Sequence, residues 1–145
     1  MKKLLMAAAL AVTSGPALAA PLCDDLGFAG LLAKCNRGED IPLTLASGQP
    51  LGEDVTLESG AYYTLVVTAD GSAELAIEGA SFFRSIWMNE IVINKIEIRP
   101  MAIDSIEFDK AGVVEMSFIA IKPGRHVLRI PGSTGETQSI TISIQ

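Results

Sequence analysis

The chain has 145 residues, of which 49% are hydrophobic and 19% are charged, so it has the size and composition of one folded domain and not of a disordered tail. Its 17 Asp and Glu residues exceed its 11 Lys and Arg residues, and the net charge of −6 argues against nucleic-acid binding because phosphate backbones repel an acidic surface. One His and two Cys exclude zinc sites built from four Cys or from two Cys and two His.

Residues 1–19 have the pattern of a secretory signal peptide. Lys2 and Lys3 precede an apolar run over residues 4–12, and Ala17-Leu18-Ala19 matches the A-x-A cleavage pattern. The apolar run is shorter than the roughly 20 residues that a membrane-spanning helix needs, and residues 20–22 do not match a lipoprotein signal. We therefore expect cleavage after Ala19, a mature net charge of −8, and a periplasmic protein without a membrane anchor.

Residues 20–40 are predicted to form a short helical segment held by a disulfide. In an exported chain, Cys23 and Cys35 most simply pair with each other, and their spacing does not fit a CxxC redox motif. One unbroken helix between them would separate their Cα atoms by about 18 Å, whereas a disulfide needs about 7 Å or less. Gly27, Gly30 and the turn at residues 36–38 therefore favour a short helix that doubles back. The apolar surface of this segment comes from Leu26, Phe28, Leu31 and Leu32.

From residue 41 onward, runs of β-branched residues separated by turn residues predict eight to ten short strands. The predicted strands are residues 41–45, 55–57, 62–68, 73–77, 86–93, 96–99, 105–108, 113–120, 124–130 and 138–144. Turns at Asp70-Gly71, Asn94-Lys95 and residues 109–112 are interpreted as hairpins, the second of which sets Ile93 opposite Ile96. Because no second helical block is present, this pattern predicts an all-β sandwich or a Greek-key barrel.

The segment Lys122-Pro123-Gly124-Arg125-His126-Val127-Leu128-Arg129-Ile130, which follows a strand containing Phe118, resembles the penultimate strand pair of cupredoxins. In that family an aromatic-bearing strand is followed by Pro-Gly-x-Tyr-x-Phe-x-Cys. Residues 57–65 are similar to the family's segment in which a glycine turn precedes a long core strand. The resemblance covers roughly residues 55–145 and implies a cupredoxin-like Greek-key β-sandwich over residues 41–145.

The same resemblance implies that the copper site of the family is missing. The Cys ligand of the family falls on Ile130, a His ligand falls near Gly135, and the axial Met falls near Ile140. His126 occupies the position of the family's Tyr, where a structural role is the simpler interpretation. Type 1 copper needs a thiolate and two imidazoles, and the chain has a single His. We therefore expect the cupredoxin fold without blue-copper electron transfer.

Carboxylates form the first candidate site, for a hard cation such as Ca²⁺ or a lanthanide. Asp104, Glu107 and Asp109 lie within six residues beside a predicted turn, and Glu53 and Asp54 offer a second acidic loop. The sequence has no calcium-loop motif, so the site would be assembled by folding, with the second loop or a dimer partner completing it. A solvated acidic surface is the simpler interpretation.

A soft site for Cu(I) is the alternative metal chemistry, because thioether and imidazole ligands suit that ion. Its candidate ligands are Met88, Met101, Met116 and His126. Met88 and Met116 lie inside predicted strands, where an adaptable core residue is the ordinary interpretation of a methionine.

An aromatic run supplies another candidate site, a surface for a partner protein. Phe82, Phe83 and the single Trp, Trp87, lie within six residues, and on a strand Phe83 and Trp87 would share one side. Arg84 and Asn89 would then orient a partner or the second subunit of a homodimer. A central strand that is buried on both faces is the alternative.

The sequence contains no motif for a serine nucleophile, a zinc protease or a phosphate-binding loop, so we expect no enzyme activity. Two functions remain. One is a periplasmic carrier or metallochaperone that binds a hard cation through the carboxylates, with a Cu(I) carrier that uses Met and His as its alternative, and that delivers the metal to another protein. The other is a metal-free adaptor that binds a partner through a strand at residues 82–87. The acidic charge and the cupredoxin resemblance favour the carrier.

Overall fold

A computed structural model describes residues 21–145, and the predicted signal peptide lies outside the described residues. The strands are β1 (Ile41–Leu45), β2 (Val55–Leu57), β3 (Tyr62–Ala69), β4 (Leu75–Glu78), β5 (Ile86–Ile93), β6 (Ile96–Ile98), β7 (Ser105–Phe108), β8 (Gly112–Ala120), β9 (Gly124–Arg129) and β10 (Ser139–Ile144). One α-helical turn, α1, spans Ala80–Phe83, and short 3₁₀ segments span Gly27–Leu32, Lys34–Asn36 and Glu136–Gln138. Between residues 21 and 145, no helix has the length and apolar character needed to cross a membrane.

The ten strands form two five-stranded sheets, as predicted for a β-sandwich. Sheet A has the order β1-β3-β8-β5-β6, and sheet B has the order β2-β10-β9-β4-β7. The edge strands β1 and β2 run parallel to their neighbours β3 and β10, and the other pairs are antiparallel. Side chains alternate between core and solvent along β1, where Ile41, Leu43 and Leu45 are buried. This alternation makes the inner faces of the two sheets the hydrophobic core.

Aromatic rings organise one end of that core. The Phe118 ring of β8 lies edge-on to Phe82, with 5.3 Å between the ring centroids, and 6.1 Å from the centroid of Tyr63. Phe82 and Phe83 are both buried because α1 turns the two adjacent rings toward the core. The predicted strand at residues 82–87 is therefore wrong: a helical turn buries neighbouring side chains that a strand would send to opposite faces.

The Asn94-Lys95 hairpin between β5 and β6 is confirmed with its register, which pairs Ile93 with Ile96. Asn94 has φ 51° and Lys95 has φ 66°, the left-handed backbone that a two-residue hairpin turn requires. The residues of the turn were sufficient to predict this hairpin because both of its strands belong to the same sheet.

The hairpins predicted at Asp70-Gly71 and at residues 109–112 are wrong. β3 belongs to sheet A and β4 to sheet B, while β7 belongs to sheet B and β8 to sheet A, so each turn carries the chain from one sheet to the other. The two turns also approach each other. A Cβ atom at Gly71, where φ is +77°, would lie 2.8 Å from the backbone nitrogen of Ala111, so this position needs glycine for both space and conformation.

The N-terminal segment is held by the predicted disulfide between Cys23 and Cys35, whose Cα atoms lie 5.9 Å apart. Gly30 has φ 57° and interrupts the 3₁₀ segment, so the chain doubles back as expected from its glycines. The fully buried side chain of Asn36 joins this segment to the turn before β3. Leu31 and Leu32 of this segment are partly covered, whereas Phe28 is completely exposed.

Candidate functional site

The carboxylates predicted to bind a hard cation lie at two opposite edges of sheet B. Asp104 precedes β7, Glu107 lies in it and Asp109 follows it, whereas Glu53 and Asp54 precede β2. Four strand spacings separate the two edges, a distance of about 19 Å. The expectation that the second acidic loop completes the site of the first is therefore wrong, because one cation cannot span that distance.

The remaining acidic groups do not form a cluster either. Asp54 is committed to the fold, because its Oδ1 accepts a hydrogen bond of 2.7 Å from the backbone N–H of Thr141. Over residues 21–145, no group of three or more His, Cys, Asp or Glu side chains is placed to hold a metal ion. The predicted carboxylates of residues 21–145 are therefore dispersed over the surface of sheet B.

The four residues predicted to bind Cu(I) also lie at separate places in the structure. Met116 is fully buried on the inner face of sheet A. His126 lies on β9 of sheet B and is 8% exposed; its Nε2 is 3.4 Å from the carbonyl oxygen of Lys122, and its buried Nδ1 has no hydrogen-bond partner. Met88 and Met101 line one cleft, and neither Met116 nor His126 reaches it.

That cleft, which we call the β5 cleft, brings together several residues from the separate predictions. It lies between the end of α1, the start of β5 and the segment before β7, and its volume is about 550 Å³. Its lining residues are Phe83, Arg84, Ile86, Met88, Met101, Ala102, Ile103 and Asp104. Apolar side chains form most of the wall, and the exposed Arg84 and Asp104 place one positive and one negative charge beside them.

The four residues predicted to bind a partner are split between this cleft and the outer face of sheet A. Phe83 and Arg84 line the cleft, although Phe83 is only 8% exposed. Trp87 is 49% exposed, and the alternation along β5 turns it away from Ile86 and the cleft. The expected shared face of Phe83 and Trp87 is wrong, because Phe83 is the last residue of α1 whereas Trp87 belongs to β5.

Asn89 has a structural contact on the outer face of sheet A. A register shift between Met88 and Glu90 leaves it as an extra residue in β5. Its Nδ2 donates a hydrogen bond of 3.1 Å to Ser117 Oγ and lies 3.5 Å from the hydroxyl of Tyr62. Asn89 therefore stabilises the bulge and is less available to a partner than the sequence alone indicated.

Sequence reasoning missed the role of residues 101–104 as one wall of the β5 cleft. By sequence Met101 is only a candidate metal ligand, whereas in the structure it is completely exposed and lines the cleft. An apolar Met-Ala-Ile run between Pro100 and Asp104, outside every predicted strand, was the available signal.

Comparison with solved structures supports the cupredoxin-like fold. A blue copper oxidase from Nitrosomonas europaea matches with a TM-score of 0.54 at 12% identity, covering 72% of this chain and 43% of that one. A multicopper oxidase from Campylobacter jejuni matches with a TM-score of 0.51 at 7% identity, covering 74% of this chain and 30% of that one. At these identities the likeness concerns the fold, and the chain spans less than half of either oxidase.

No family model matches the chain, and no curated protein matches it in sequence. The resemblance sets the Cys and axial Met copper ligands of cupredoxins against Ile130 and Ile140. Ile130 and Ile140 are 5% and 2% exposed and belong to the hydrophobic core cluster. Both positions serve packing in this chain.

Proposed function

We propose that this protein is a non-enzymatic periplasmic binding module that holds a partner protein in the β5 cleft. The observation that supports the proposal most is the combination of an apolar wall with Arg84 and Asp104 at its edge. Buried apolar contacts surrounded by a polar rim are typical of protein interfaces, and Arg and Met are enriched there. Met88 and Met101 also give the cleft an adaptable surface, since an unbranched thioether side chain changes shape easily.

The charges in the cleft define what the partner must offer. Arg84 needs a carboxylate and Asp104 needs a basic group, while Ile86, Met88 and Met101 receive an apolar side chain between them. The partner is thus a segment with an apolar anchor flanked by charges of both signs. Rim charges of this kind contribute more to orientation and association rate than to affinity.

A periplasmic location agrees with the disulfide, since oxidising compartments favour such bonds. The hard-cation carrier favoured by the sequence ranks second. Its carboxylates at β7 stay at one exposed edge, so a second protein would have to supply further oxygen ligands.

Site-specific photo-crosslinking tests the proposal. A benzoylphenylalanine replaces Met101, and the protein is irradiated in a periplasmic extract of the producing cells. The matched control carries the same group at Ile121, which is 47% exposed and lies outside the cleft. We expect one discrete adduct from position 101, none from position 121, and loss of the adduct when Arg84→Glu is added. Equal adducts from both positions, or an adduct that does not respond to Arg84→Glu, would refute the proposal.

A further inference from the structure

A second open side of the sandwich lies across the molecule from the β5 cleft, between the edge strands β1 and β2. Two clefts of about 380 and 430 Å³ lie side by side with Ile41 and Val55 in both linings, and we call them together the β1–β2 groove. Its apolar lining consists of Leu22, Ile41, Pro42, Val55, Leu57 and the ring of Tyr63. The groove shares no residue with the β5 cleft.

The charges around this groove have one sign. Glu39, Asp40 and Glu53 line it, and all three are exposed. Among the described residues that line the groove, none is Lys, Arg or His. The nearby Arg37 is turned to the other face of sheet A, where its guanidinium lies 4.7 Å from the ring centroid of Tyr62. A basic occupant would thus meet negative charge along the rim and no competing positive charge.

The backbone of β2 supplies an independent feature. The carbonyl of Leu57 accepts a hydrogen bond of 2.9 Å from Gln145, so Leu57 directs its backbone groups toward the β10 side. Successive residues of a strand direct these groups to opposite sides. The N–H and C=O of Thr56 therefore point to the free edge of β2, into the groove that Thr56 lines. An edge strand with free backbone groups accepts an added strand.

The opposite wall limits where such a strand can bind. The backbone N–H of Thr44 donates to the carbonyl of Leu51 at 2.8 Å, so the far end of β1 is already covered by the chain's own loop. A Cβ atom at Gly52 would lie 2.9 Å from Leu43 Cδ2, which shows how closely that loop follows β1. The backbone groups that are free to bind an added strand therefore lie on β2, whereas β1 forms the apolar wall of the groove.

We propose that the β1–β2 groove binds an extended, basic segment of another protein in which Lys or Arg alternates with apolar residues. The backbone N–H and C=O of Thr56 form hydrogen bonds with the backbone of that segment, which adds to β2 as a further strand. The apolar side chains lie against Ile41, Val55 and Leu57, and the basic side chains reach the rim carboxylates. This surface is additional to the β5 cleft, so the two proposals stand or fall separately.

Peptide titrations monitored by backbone amide NMR shifts test this inference. The probe is an acetylated and amidated Lys-Val hexapeptide with alternating residues, and the Glu-Val hexapeptide is the charge-reversed control. We expect shifts at Thr56 and Ile41 with the basic peptide and none with the acidic one. Binding of the acidic peptide with similar affinity would overturn the proposal.

Two variants separate the groove from the general acidity of the protein. Glu39→Gln/Asp40→Asn/Glu53→Gln is expected to weaken binding about tenfold, the effect of three exposed ion pairs. The control Glu74→Gln/Glu107→Gln/Asp109→Asn removes the same charge beside β4 and on β7, outside both the groove and the β5 cleft, and should change affinity less than twofold. Equal weakening by the two triple variants would show non-specific attraction and refute the site.

A Thr56→Pro variant tests the backbone contact. Proline is tolerated on sheet edges and removes the outward N–H. Affinity should fall about fivefold, near the value of one net hydrogen bond, while circular dichroism confirms the fold. Unchanged affinity in the folded variant would contradict strand addition.

Discussion

The side-chain amide of Asn36 donates a hydrogen bond of 2.9 Å to the carbonyl oxygen of Gly60, 24 residues further along the chain. The same nitrogen donates to the carbonyl of Leu31 at 2.9 Å, and Asn36 Oδ1 accepts from the backbone N–H of Leu22 at 2.8 Å. The side chain is fully buried, so water has no access to its polar atoms. One residue thus connects both ends of the disulfide-bonded segment to the sandwich.

Replacing Asn36 with Ala should lower the free energy of unfolding by about 2–4 kcal/mol, because three partly buried backbone groups lose their partners together. Urea denaturation measures this change. The control is Asn89→Ala, which removes a half-buried amide from the surface of sheet A and should have a cost of about 1 kcal/mol. Equal destabilisation by the two variants would contradict the anchoring role of Asn36.

Removing the disulfide with Cys23→Ser/Cys35→Ser should lower the free energy of unfolding by about 3 kcal/mol, the value for a loop of this length. Most of this effect comes from greater freedom of the unfolded chain. Chemical denaturation of the variant and of the oxidised protein gives the difference. Intact-mass analysis of native protein that shows two free thiols would contradict the bond itself.

Lanthanide titration should reveal at most weak binding, with a dissociation constant above about 10⁻⁴ M, because one exposed edge offers too few oxygen ligands. Glu107→Gln/Asp109→Asn should remove what binding exists, whereas His126→Ala should leave it unchanged. Tight binding to the isolated chain would restore the carrier function, and loss of binding in the His126 variant would favour the soft-metal site.

His126→Leu should leave the free energy of unfolding unchanged or raise it by up to about 1 kcal/mol. The substitution removes a buried Nδ1 that has no hydrogen-bond partner while it keeps a side chain of similar volume. His126→Ala, which leaves a cavity, should instead be destabilising. Thermal unfolding distinguishes the two, and a large loss in the Leu variant would show that the contact of Nε2 with Lys122 matters more than the unpaired atom.

Burial raises the pKa of the Tyr63 phenol above its ordinary value of about 10. The hydrogen bond of 2.9 Å that its hydroxyl accepts from the backbone N–H of Glu58 acts in the opposite direction and is the weaker effect. Because the folded state favours the neutral phenol, its contribution to stability is full below pH about 10 and falls as the pH rises through the raised pKa. Tyr63→Phe should reduce this alkaline loss between pH about 9 and 11 in unfolding measurements. An identical pH dependence would refute the assignment.

The sequence was sufficient to predict those features that depend only on residues close together in the chain. The Asn94-Lys95 turn was correct with its register, because two left-handed residues and alternating isoleucines specify a hairpin locally. The Asp70-Gly71 turn has equally good chemistry but connects two sheets, and which sheet receives the next strand depends on packing far along the chain.

The same limit explains the errors at the candidate sites. Proximity in sequence could not show that Glu53 and Glu107 lie at opposite edges of one sheet, since that order depends on where β9 and β10 pair. Nor could it show that Met88 and Met101 meet across a cleft while Met116 is buried in the core. Side-chain chemistry was available from the sequence, whereas strand order was not.

The position of β10 limits how the molecule can acquire its structure. β10 is the last strand in the chain, yet it lies inside sheet B, between β9 and β2. Residues 55–57 therefore have no strand partner in that sheet until residues 139–144 have left the ribosome or a secretion channel. Vectorial folding from the N-terminus, common for large chains, cannot complete this domain. A domain that cannot complete sheet B before residues 139–144 have emerged remains open during synthesis, and this suits the transfer across a membrane that the predicted signal peptide implies.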